Sequence, residues 1–151
     1  MSSSLVKLDV HIIFHVRSTS IEMRRGDLPR IFAYIGGIVN SIGGICIAVG
    51  GMPDHIHVLS SLPASMSIAD FVRIIKSKSS KWIKSLDASY SLFAWQNGYG
   101  AFSVSPSLLP KTKNYITKQE QHHRRLTFEE EYMAFINAYG IQYDSKYLFS
   151  D

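Results

Sequence analysis

Cysteine is nearly absent. Cys46 is the only one in 151 residues, which excludes a disulfide within the chain and a zinc site built on thiolates. A reducing cytoplasm is the expected setting. Long apolar runs are missing as well. No stretch approaches the roughly 18 residues that would span a bilayer, and the opening MSSSLVKLDV has no apolar segment of the kind a signal peptide needs, so no membrane partner is expected. There are no repeats and no low-complexity tracts. Charged residues make up only 19% of the chain, slightly little for a soluble domain, which leaves surface for burial against a partner. The charge that is present leans positive, at +4, a mild inclination towards nucleic acid or another polyanion. What the chain does have is apolar residues, 46%, enough for a real core in one domain over residues 1–151.

From Val6 to Val16 every even position is apolar, and the odd positions carry Lys7, Asp9, His11 and His15, with Ile13 the exception. Period two predicts a strand with one buried face. Leu28, Ile31, Phe32, Ile35, Ile38, Val39 and Ile42 recur at helical spacing until Gly43 and Gly44. ICIAVGG and HIHVLSSL read as two strands of a hairpin turned at Met52-Pro53-Asp54. Ser67, with Asp70 three residues on, opens a helix carrying Phe71, Ile75, Trp82 and Leu86 on its apolar side. A strand near Tyr99 to Val104 follows. One helix is then expected from Ser107 through Tyr115 to about His122, and another from the capping box Thr127 and Glu130 to Gly140. The order strand, helix, strand, strand, helix, strand predicts an α+β fold of the ferredoxin-like, split βαβ kind. Its antiparallel sheet would carry two helices on one face, with the C-terminal helices added. Many functions share this fold, so the site must decide.

Six histidines occur in the chain, and two of them, His55 and His57, flank Ile56 in a predicted strand. Residues i and i+2 of a strand point the same way, so two imidazoles can share one divalent metal. For a His-x-His pair in a strand taken by itself, local hydrogen bonding or a solvated face is the commoner explanation. In NYITKQEQHHRR, Tyr115 and Gln119 are four apart and fall on one face of a predicted helix. Gln119 offers an amide oxygen, and Tyr115 a phenolic nucleophile or a packed aromatic. His122, His123, Arg124 and Arg125 read as a solvated basic helix end, where cations suit the macrodipole.

GGMPDHIHVL, FAWQNGYGAFSVSPS and YITKQEQHH, in this order and spacing, resemble the HUH single-tyrosine transposases of small bacterial insertion sequences and their REP-associated relatives. The resemblance runs from HIIFHV to YLF, nearly the whole chain. It implies Mg2+ or Mn2+ held by His55, His57 and Gln119, with Tyr115, on one of the added C-terminal helices, as nucleophile. It also implies a substrate of single-stranded DNA with a hairpin near the cut, a 5′-phosphotyrosine intermediate, and a homodimer. In such a dimer the tyrosine helix commonly reaches the partner's histidines, giving composite active sites.

DNA binding requires cations. The predicted helix from Ser67 to Leu86 carries Arg73, Lys76, Lys81 and Lys84, and Arg124 and Arg125 are further candidates for phosphate contacts. An ordinary solvated helix face is the alternative for all of them. Trp95, Tyr99 and Phe102 offer stacking surfaces, although a core role suits each at least as well. Two other functions stay open: a ferredoxin-like single-stranded nucleic-acid binder without turnover, and a metal-dependent phosphoesterase that releases its product to water.

Overall fold

The structure is a computed structural model that describes residues 4–124 and 126–151. Nine elements matter: β1 (Asp9–His15), α1 (Leu28–Ser41), β2 (Cys46–Met52), β3 (His55–Ser61), α2 (Ile68–Leu86), β4 (Gly100–Ser103), α3 (Leu109–Thr117), α4 (Gln119–His122) and α5 (Phe128–Tyr139). The sheet order is β2-β3-β1-β4, and every neighbouring pair is antiparallel. This is the expected α+β arrangement, with β3 and β1 central. Among the described residues no helix is long and apolar enough to cross a membrane.

The even positions of β1, Ile12 and Phe14, enter the main core with Ile56 and Val58 of β3, Ile31 and Ile35 of α1, and Phe71 and Ile75 of α2. Burying each such side chain contributes on the order of 1.5–3 kcal/mol. The odd positions were expected to face outward, but His11 and Ile13 are buried too. The reason is the second layer. Ile116 of α3 packs on Ala48 and Leu59, and Phe128, Tyr132 and Ile136 of α5 pack on Ile13 and Phe102. Alternation fades wherever both faces of a strand are covered. Val6 and Leu8, by contrast, precede β1 and are about half exposed.

Two helical expectations need adjustment. The helix predicted from Ser107 to His122 is two pieces: α3 ends at Thr117, Lys118 has φ −108° and ψ 28°, and α4 restarts at Gln119. The break lets the chain turn in towards the sheet. The final helix begins as expected. Thr127 and Glu130 form a reciprocal capping box, and Gly140 at φ 65° closes the C-terminus. Gly50 has a different task. A Cβ there would lie 2.2 Å from the backbone oxygen of Ile116, so α3 crosses β2 at a distance that only glycine allows.

Candidate active site

The hairpin of β2 and β3 pairs Met52 with His55, leaving Pro53 and Asp54 as the turn. Period two then puts His55 and His57 on the second face, beneath α3, α4 and α5, while Ile56 enters the main core. Both imidazoles are fully buried. Asp54 Oδ1 lies 2.7 Å from His55 Nδ1 and, as a carboxylate, can only accept. His55 Nε2 lies 3.0 Å from Gln119 Oε1, another acceptor, so the ring meets an oxygen at each of its nitrogens.

Glu131 of α5 completes the cluster. Its Oε1 is 2.9 Å from His57 Nε2 and 3.6 Å from His55 Nε2. Its Oε2 accepts hydrogen bonds from Tyr115 Oη and from Gln119 Nε2, the latter at 3.2 Å. His123 Nε2 reaches Gln119 Oε1 at 3.0 Å and lies 3.4 Å from Glu131 Oε2. The His122 ring stands against the Tyr115 ring at 4.4 Å. One carboxylate therefore touches the tyrosine, the amide and both flanking histidines, and all of these groups belong to one chain. Within this one chain Tyr115 lies beside His57, ring centroids 6.0 Å apart.

Electrostatics follow from burial. Burial pushes the Glu131 carboxyl up, but hydrogen bonds from His57 and Tyr115 outweigh it and hold the group well below the usual carboxylate range. Burial lowers His57 to about 4 against the pull of Glu131, so the pair is a neutral imidazole donating to a carboxylate. Burial, then the hydrogen bond and charge of Glu131, push the Tyr115 phenol well above its ordinary value. Ionising Tyr115 beside an uncompensated carboxylate is costly, and a cation in the cluster would reverse that cost.

The donor set suits a divalent ion. One ligand atom each from His55, His57 and Glu131 lies within 4.8 Å of the others, and Gln119 Oε1 adjoins His55. Two imidazoles joined to carboxylate and amide oxygens are compatible with manganese, and the oxygens with magnesium.

The family model described as "Transposase IS200 like" matches residues 4–119. The chain belongs to the IS200-like transposase family. A protein of Deinococcus radiodurans R1 described as a transposase shares its fold at TM-score 0.61 and 21% identity, over 77% of this chain and 93% of that one. A REP-associated tyrosine transposase, solved bound to a REP hairpin, shares the fold at TM-score 0.53 and 15% identity, over 77% of this chain and 70% of that one. No curated protein matches. The transposase match ends at Gln119, so α5 and Glu131 lie beyond it.

The structure thus brings together four residues singled out in the sequence, His55, His57, Tyr115 and Gln119. Two others were passed over. His123 was read as part of a solvated helix end, but the break at Lys118 turns it inward. Glu131 sits between Phe128 and Phe135, on the stripe that packs against the sheet; a lone acid in an apolar stripe was the available signal. The cations of α2 divide. Arg73, Lys81 and Lys84 are exposed, Arg73 lying 3.5 Å from Asp70. Lys76 is instead drawn inward: Nζ donates to Gln96 O at 2.8 Å and to Gly98 O, over the rings of Phe14 and Tyr99. Burial lowers it to about 8, so it braces the loop before β4 and is not a free phosphate contact. Trp95 and Phe102 are buried in the core. Arg124 is exposed, and Arg125 lies outside the described residues.

Proposed function

We propose that this transposase cleaves and rejoins single-stranded DNA, with Tyr115 as nucleophile and His55, His57 and Gln119 holding Mg2+ or Mn2+, joined by Glu131. The observation that carries the reading is the convergence of Tyr115 Oη, Gln119 and His57 on the single carboxylate of Glu131. The hairpin seen with the REP-associated neighbour supports hairpin-bearing DNA as the substrate here. A bound divalent ion would supply charge neutralisation at the scissile phosphate. The chain's own residues do the rest. Glu131 Oε2 is placed to take the phenolic proton of Tyr115. The phenolate attacks phosphorus, the bond from phosphorus to O3′ breaks, and the departing 3′ oxygen takes a proton from water. The product is a 5′-phosphotyrosine, and attack by another 3′-hydroxyl reverses the step. Arg73, Lys81, Lys84, Arg124 and Arg125 are the proposed phosphate contacts. A homodimer is proposed with each site assembled within its own chain, and a cytoplasmic setting is proposed with it.

The test is a denaturing gel of the protein incubated with labelled single-stranded hairpin DNA and Mn2+. A band of DNA covalently held by wild type and absent from Tyr115→Phe supports the transferase. Free cut product alone would indicate the phosphoesterase, and retention without cutting a binding module.

A further inference from the structure

His11 touches neither Tyr115 nor Gln119 in any hydrogen bond, yet it is built into the site from behind. It lies on β1, which pairs Ile13 with His57 and His11 with Leu59, and its side chain is on the same face as His57. Only 2% of it is exposed. Its Nε2 is 2.7 Å from His57 Nδ1. Phe135 and Phe102 pack edge-on to the ring, at centroid distances of 5.0 and 6.5 Å, which leaves it little freedom to rotate.

A neutral imidazole has one N–H and one lone pair. His57 Nε2 faces Glu131 Oε1 at 2.9 Å, and a carboxylate oxygen only accepts. His57 therefore carries its hydrogen at Nε2, its Nδ1 accepts, and His11 Nε2 donates. A divalent ion at His57 needs the Nε2 lone pair instead. The His57 hydrogen must then sit at Nδ1, and the atom opposite must accept it.

We infer that His11 is the positioning residue for His57. It holds the ring with Nε2 turned into the site, and it changes from donor to acceptor when a divalent cation takes that nitrogen. The change is a paired shift of tautomers with no net protonation. The hydrogen on His57 Nε2 leaves to solvent, the hydrogen between the rings passes from His11 Nε2 to His57 Nδ1, and His11 takes one from water at Nδ1. The inference rests on the metal-dependent reading above.

The test uses the full chain with 15N-labelled histidine, since protonated and bare imidazole nitrogens resonate far apart. Without metal, His11 and His57 should both be protonated at Nε2; with saturating Mg2+, both should be protonated at Nδ1. Mn2+ affinity is measured in parallel for wild type, His11→Phe and His11→Gln. Phenylalanine keeps the packing but offers no acceptor, and binding should weaken about 10- to 100-fold. Glutamine places an amide oxygen near the lost Nε2 and should restore most of the affinity, which a purely structural role for the ring would not explain. His57 keeping its Nε2 hydrogen with Mg2+ bound, or a folded His11→Phe binding Mn2+ as tightly as wild type, would overturn the inference. Wild type binding neither ion would remove the metal reading and this inference together, and would be seen before any substitution was made. If His11→Phe does not fold, the wild-type spectra decide.

Discussion

Glu131 holds a negative charge in a place from which water is almost excluded, and His57, Gln119 and Tyr115 all point their hydrogens at it. Replacing it with glutamine keeps the volume and removes both the charge and the proton acceptor. Cleavage by Glu131→Gln in Mn2+ should fall by roughly 10²-fold or more, the ordinary worth of a positioned base; an unchanged or faster rate would make the carboxylate a bystander or a restraint on Tyr115. The pH dependence of folding has a definite sign. His57 is held near 4 in the folded chain, against about 6.5 when unfolded. Between those values the unfolded state binds the extra proton, so stability falls as pH falls from about 6.5 to about 4, by on the order of 3 kcal/mol. Glu131 adds loss in the same direction, because its lowered carboxyl stabilises the fold above its unfolded value and ceases to do so on protonation. The other titratable groups around His57 are His11, His55, His123 and Tyr115. Urea melts of metal-free protein at about pH 7 and about pH 4.5 check this, and equal midpoints would contradict it. His55 and His57 were legible in the sequence because strand alternation fixes their direction. Glu131 was passed over despite its place in the apolar stripe, because Glu129, Glu130 and Glu131 together look like ordinary partners for the helix dipole.

At the scale of elements, the site depends on how closely α3 and α5 approach the sheet. Gly50 sets the first approach. A methyl group there meets the backbone of Ile116 at 2.2 Å, and backbone cannot yield as a flexible side chain would. Gly50→Ala should destabilise the fold by roughly 1–3 kcal/mol. It should also slow cleavage by about 10²-fold at a temperature where the variant is fully folded, since Tyr115 is the neighbour of the residue displaced. Rates equal to wild type after correction for folded fraction would separate Gly50 from the site. The capping box of α5 was visible from Thr127 and Glu130, and the periodicity of α1 and α2 gave both helices. The break at Lys118 left no such mark: no glycine or proline interrupts TKQEQHH, and packing against the sheet overrides its local helical preference. The exposed odd face predicted for β1 failed for a related reason, since its cover comes from residues more than a hundred positions away.

At the scale of the molecule, two helices cover one face of an antiparallel sheet and the chain's C-terminal helices cover the other, where the transposase match ends and the carboxylate enters. The order of elements sufficed to read the sheet, but which chain supplies Tyr115 was a matter of tertiary packing. Within the one chain, α3 and α5 bring Tyr115 to Glu131 and His57 without a second subunit. Co-expression of differently tagged Tyr115→Phe and His57→Ala should therefore give heterodimers that cut no DNA, each site lacking one part; recovered cutting would show that α3 crosses between subunits. The central claim, that DNA is transferred onto Tyr115, is tested most directly by mass spectrometry. Wild type is incubated with single-stranded hairpin DNA and Mn2+, digested with nuclease and protease, and searched for the peptide that carries a 5′-linked nucleotide. The account predicts that adduct on the peptide containing Tyr115 and on no other tyrosine. Cut DNA with every tyrosine unmodified, or an adduct on a different tyrosine, would contradict it.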